Sequence, residues 1–138
     1  MPDLPLTGHC VCGAVRFEIT EPLAGASYCH CTRCQRRTGT AAAATARIAP
    51  GSLRWLSGED RIRMWWPPDN GWGKAFCTEC GSALFSRAPD DPEAIGIRLG
   101  LFDGDPGIRP THRHHVATAA VWEPLPDDGL RRYDDAPT

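Results

Sequence analysis

Seven cysteines fall into three short clusters: Cys10-Val-Cys12, Cys29-His-Cys31-Thr-Arg-Cys34 and Cys77-Thr-Glu-Cys80. Thiolates at such spacings ligate metals. They suit internal disulfides poorly, because a very small ring cannot bring the two Cβ atoms together at the required angles. The odd count also argues against a disulfide framework. Zinc–sulfur bonds of about 2.3 Å place tetrahedral thiolates about 3.8 Å apart. Alternate residues of a straight strand lie roughly 6.5–7 Å apart. Cys10 and Cys12 can therefore share one ion only if the chain bends there, and Gly8 and Gly13 flank the pair. Gly81 directly follows Cys80, where a positive φ can turn the chain away from a metal. Seven thiolates divide as four plus three. Four close a structural zinc, and three leave a position for water or substrate. Spacing leaves the partition open. Cys31/Cys34 with Cys77/Cys80 would make an ordinary zinc ribbon, whereas Cys10/Cys12 with Cys77/Cys80 would leave Cys29, Cys31 and Cys34 as a compact trio.

Other side chains near the clusters carry possible chemistry. His30 lies between two cysteines and can hold or pass a proton. Arg33 and Arg37 share a face if their segment is helical, and guanidinium forks match carboxylates. His112, His114 and His115 read as surface residues and His9 as an exposed neighbour of Cys10. Trp65, Trp66 and Trp72 sit in a Pro- and Gly-rich loop that reads as a small satellite cluster.

The elements that must position these groups are short. Thirteen prolines and fourteen glycines in 138 residues predict many turns and few long helices. Val15, Phe17 and Ile19 alternate with polar residues, as in a half-buried strand. Thr32–Arg37 reads as a helical turn ended by Thr38-Gly39, and Ala41–Ile48 as a buried strand. Segments 53–56 and 61–65 read as a hairpin about Ser57-Gly58, with further strands at 83–86 and 95–99. The tail from Asp127 reads as polar, fraying at its end. The whole length suits one domain. No apolar run approaches a membrane span. The first residues show neither a basic nor an apolar leader region, so a cytoplasmic protein is expected. A formal net charge of −2 argues against a general nucleic-acid binder.

The motifs Gly8-x-Cys10-x-Cys12-Gly13, Cys29-His30-Cys31-x-x-Cys34, Thr38-Gly39 and Phe76-Cys77-x-x-Cys80-Gly81 occur in this order. With Trp122, Asp127-Asp128-Gly129-Leu130 and Tyr133 they resemble the glutathione-dependent formaldehyde-activating enzymes, a family that includes centromere protein V. The resemblance implies a mainly β fold, a zinc-ribbon-related β-tent with two zinc sites and short helical turns. It implies a structural zinc on Cys10, Cys12, Cys77 and Cys80. It implies a second zinc on Cys29, Cys31 and Cys34 with an open position, where catalysis would centre with His30 beside it. The implied activity is carbon–sulfur lyase chemistry joining glutathione, or a related thiol, to formaldehyde or another small aldehyde. Arg33 and Arg37 would then hold the thiol's carboxylates. The competing expectation is a zinc-scaffolded binding module without catalysis.

Overall fold

The structure, a computed structural model, describes residues 2–137. The strands are β1 (Leu6–His9), β2 (Arg16–Ile19), β3 (Gly25–Cys29), β4 (Ala43–Arg47), β5 (Leu53–Ser57) and β6 (Ile62–Trp65). They continue as β7 (Gly73–Cys77), β8 (Ala83–Arg87), β9 (Ile95–Arg98), β10 (His112–His114) and β11 (Arg131–Arg132). One helix, α1 (Thr32–Thr38), follows β3, and short 3-10 turns occupy 59–61, 99–101 and 116–118. The fold is mainly β. Among the described residues a three-stranded sheet has the order β1-β2-β5, and an eight-stranded sheet the order β11-β10-β3-β4-β9-β8-β7-β6. All pairings are antiparallel except those of β10 with β3 and β11.

The core joins the two sheets. Phe17 and Ile19 of β2 cluster with Leu84, Phe85, Ile95 and Ile97 from the large sheet. Phe17 meets Trp55 and Phe102 edge-on, with ring centroids 6.1 and 5.6 Å away, and Trp55 reaches Phe85 at 5.7 Å. Side chains alternate across a strand. In β9, Ile95 and Ile97 face this core, so Gly96 and Arg98 belong to the opposite face. Cysteine cluster 29–34 lies where β3 ends and α1 begins.

The alanine-rich segment forms strand β4 despite its helical propensity, paired on both sides by β3 and β9. The helix ends at Gly39, which adopts φ 69° and returns its N–H to the Gln35 carbonyl. The expected 53–65 hairpin does not form. Strand β5 pairs with β2 in the small sheet and β6 with β7 in the large one. The turn at 59–61 redirects the chain between sheets, and the pairing of Trp55 with Phe17 takes β5 to the core seam. The tail is held by long-range bonds as far as residue 135. Arg131–Arg132 pairs with β10, the Tyr133 N–H reaches Arg113 O at 2.9 Å, and Asp128 bonds the Arg113 guanidinium. Thr138 lies outside the described residues.

Candidate metal centres

Two distant knuckles build the first cluster. After Cys10 the Gly13 N–H returns to Cys10 O at 3.0 Å, and after Cys77 the Gly81 N–H returns to Cys77 O at 2.7 Å. Gly13 and Gly81 take φ of 79° and 78°, which reverses each chain without a Cβ penalty. Gly8 serves a different end from the bend that its position suggested. It lies within β1, and a Cβ there would stand 2.5 Å from Leu101 O and from the Phe17 ring. The sulfurs of Cys10, Cys12, Cys77 and Cys80 all lie within 4.8 Å of one another, with 3.6 Å from Cys10 to Cys12 and 4.0 Å from Cys12 to Cys77. These separations are close to those of thiolates around one tetrahedral ion, so the donor set fits zinc. The Val15 N–H donates to Cys10 Sγ at 3.3 Å, and the Ser82 hydroxyl lies 3.1 Å from Cys80 Sγ. That hydroxyl leads the influences that bring the Cys80 thiol down to about 5. Cys10 and Cys77 are fully buried.

The second cluster is local in sequence. Cys29 ends β3, Cys31 caps α1 from an extended conformation, and Cys34 lies in the first helical turn. The Cys34 N–H donates to Cys31 Sγ at 3.3 Å. All three sulfurs lie within 4.8 Å of one another, again a separation that zinc can bridge. Hydrogen bonding from Cys29 and then Cys34 lowers the Cys31 thiol well below its ordinary value, while the same contact with Cys31 raises Cys29.

His30 turns its ring from the sulfurs toward the tail. It is buried, and its Nε2 lies 3.1 Å from an Arg113 guanidinium nitrogen. Arg113 stacks over Tyr28 and donates to Asp128 at 2.8 Å. Burial, then the Arg113 charge, lowers the His30 imidazole. His114 and His115, read as surface residues, are half-buried. Their ring nitrogens and the Cys29 sulfur lie within 4.8 Å of one another, because the parallel pairing of β10 with β3 sets His114 opposite Cys29. Burial foremost lowers His114 to about 4. His112 packs against Tyr133 with centroids 5.6 Å apart.

Beside the trio lies a cavity of about 440 Å³ lined by Thr32, Arg33, Arg36, Arg37, Trp65 and Lys74. Arg33 is committed to Asp69 through two bonds, of 2.6 and 3.3 Å, which tie the tryptophan loop to α1. Trp72 is held separately by Arg47, whose guanidinium stands 4.4 Å from its ring centre. Arg37 donates to Ala75 O and keeps a buried Nε without a partner. Lys74 and Arg98, both about 7% exposed, converge on one oxygen. Lys74 Nζ reaches Ser86 Oγ at 3.1 Å and Arg98 reaches it at 3.0 Å, while Arg98 also donates to Thr45 Oγ1 at 2.7 Å. Among the described residues no carboxylate pairs with Arg37, Lys74 or Arg98. Burial lowers both Lys74 and Arg98, and the cysteine trio opposes that shift by charge. Sequence reading passed over Lys74 and Arg98. The available signal was a cation interrupting an apolar strand, as in Gly73-Lys74-Ala75-Phe76 and Ile95-Gly96-Ile97-Arg98.

The chain has a mainly β fold with one four-thiol cluster and one three-thiol cluster, each of which could hold a metal ion, and a cationic cavity. Residues 5–118 match the family described as "Glutathione-dependent formaldehyde-activating enzyme", and the chain belongs to this family. A Halomonas elongata protein named "Putative glutathione-dependent formaldehyde-activating enzyme" is 28% identical over 116 residues, covering 80% of this chain and 73% of that protein. A crystal structure of a Rhodobacter sphaeroides protein superposes with a TM-score of 0.61 at 25% identity, covering 92% of this chain and 98% of that one. Among the described residues no helix is long and apolar enough to cross a membrane.

Proposed function

We propose that this chain catalyses the reversible addition of glutathione to formaldehyde, giving S-hydroxymethylglutathione, with zinc held by Cys29, Cys31 and Cys34. The observation that carries the reading is the contrast between the clusters. Cys10, Cys12, Cys77 and Cys80 supply a full tetrahedral set, whereas Cys29, Cys31 and Cys34 supply three sulfurs beside a cation-lined cavity. In this reading the four-thiol zinc is structural. Zinc at the trio supplies stabilisation of an entering thiol as its thiolate near neutral pH.

The chain's own residues do the rest. Arg37 and Lys74 present positive charge to the carboxylates of the bound thiol, and Arg98 reinforces Lys74 through Ser86. Arg33, held by Asp69, adds charge at the rim and fixes the wall that carries Trp65. His30 acts as a positioning residue, bonded to Arg113 rather than aimed at the reacting atoms. In the forward reaction the sulfur forms a bond to the formaldehyde carbon. The carbonyl π pair moves to oxygen, and the proton released from the thiol ends on that oxygen. The reverse breaks the carbon–sulfur bond, which is the lyase direction.

Carbon-13 exchange NMR on mixtures of glutathione and labelled formaldehyde measures the interconversion directly. Catalytic amounts of the zinc-loaded protein should accelerate exchange, and Cys34→Ser should lose the acceleration. Exchange at the uncatalysed rate with a protein containing both zincs would contradict the proposal.

A further inference from the structure

Four of the six side chains that line the cavity along α1 are cations: Arg33, Arg36, Arg37 and Lys74. The other two are Thr32 and Trp65, so no carboxylate lines it. Arg33 alone of the four has an acidic partner, Asp69, and both oxygens of that carboxylate are engaged. Oδ1 accepts from Arg33 at 3.3 Å and from the Gly71 N–H at 3.0 Å, and Oδ2 accepts from Arg33 at 2.6 Å. Among the described residues Arg36, Arg37 and Lys74 pair with no carboxylate. Arg37 keeps its buried Nε without a partner, and Lys74 shares Ser86 Oγ with a further buried cation, Arg98.

The same wall has no place for a positive charge. Trp65 offers a ring face of the kind that attracts cations, but the Arg33 guanidinium already stands 5.9 Å from its centre. An ammonium entering the cavity therefore meets four like charges and no acidic side chain. Like charges placed together at a binding surface are strongly disfavoured. A carboxylate meets the opposite situation, including guanidinium forks that match its shape.

We propose that this cavity selects thiols by charge, favouring one whose carboxylates are not offset by an ammonium. Glutathione then binds with its carboxylates against the cations and its ammonium held out in solvent. The inference rests on the reading that the thiol substrate occupies this cavity. It makes Arg36, Arg37 and Lys74 specificity-determining residues, and the preference they impose weakens as salt screens them.

Calorimetry on the whole zinc-loaded chain tests this with glutathione and N-acetylglutathione, which keeps both carboxylates and loses the ammonium. At low ionic strength N-acetylglutathione should bind at least about tenfold more tightly, and the ratio should shrink as salt is added. Arg36 is exposed, so Arg36→Glu spares the fold and should bring the two affinities close to parity. Glutathione bound as tightly as its N-acetyl derivative, or more tightly, would overturn this inference alone. So would a tenfold preference that survives Arg36→Glu. Binding of neither thiol would overturn it together with the reading of the cavity as the thiol's site.

Discussion

Cys34 and Cys77 separate two kinds of damage. Cys77, itself fully buried, belongs to a cluster that ties residues 10–13 to residues 77–81, a closure across much of the chain. Structural zinc contributes folding free energy on the order of 10 kcal/mol. Cys77→Ser should therefore abolish cooperative unfolding, or lower Tm drastically, by circular dichroism. Cys34 serves a cluster confined to a short stretch of sequence, so Cys34→Ser should lower zinc content by about one ion and leave most of the fold intact. Equal damage from the two substitutions would contradict the division into structural and reactive centres. Lys74 tests the cavity. Removing a buried cation that bonds an anionic ligand forfeits about 1.5–3 kcal/mol, so Lys74→Met should weaken glutathione binding by roughly ten- to a hundredfold. Calorimetry should show that loss with zinc content unchanged. Unaltered affinity would remove Lys74 from the thiol's binding site.

At the scale of elements, the seam between the sheets and the C-terminal strap carry distinct predictions. Phe17 meets Trp55 and Phe102 and is almost fully buried. Phe17→Ala should cost about 3–5 kcal/mol in denaturant unfolding, because the space between two sheets collapses poorly. The strap depends on Asp128, whose carboxyl the Arg113 hydrogen bond holds below the ordinary carboxylate range. A carboxylate depressed in the folded state stabilises it fully above its unfolded pKa of about 3.9, and that contribution fades as pH falls through the lower folded value. The protection of the Tyr133 amide against hydrogen exchange, relative to the intrinsic rate at each pH, should thus fall on acidification below about pH 4. Asp128→Asn should lower the same protection at neutral pH. Protection in that variant equal to the parent's would show that backbone pairing with β10 alone holds the strap.

The sequence displayed these elements unevenly. Alternation exposed β2, and turn chemistry exposed the end of α1 at Gly39. Apolar stretches revealed β8 and β9. The placement of β4 between two partners overrode its helical propensity. Ser57-Gly58 looked like a hairpin because local turn chemistry says nothing about which sheet each flanking strand joins. The short strands β10 and β11 carry almost no pattern over so few residues. Their position follows from Arg113, Asp128 and parallel pairing, all long-range features. The same pairing set His114 opposite Cys29, which spacing along the chain did not show.

For the whole molecule, the two cysteine clusters occupy different mechanical situations. One staples the start of the chain to its middle. The other sits at the junction of β3 and α1, near the buried Lys74 and the half-buried His114 and His115. Four sulfurs gather at the first centre and three at the second, and the cation-lined cavity runs along the helix that carries Cys34. Native mass spectrometry of the zinc-loaded protein with reduced glutathione tests this division most directly. Two zincs per chain and one retained glutathione are expected, falling to one zinc and no glutathione in Cys34→Ser. A single zinc in the unsubstituted protein, or glutathione retained equally after loss of Cys34, would contradict that division.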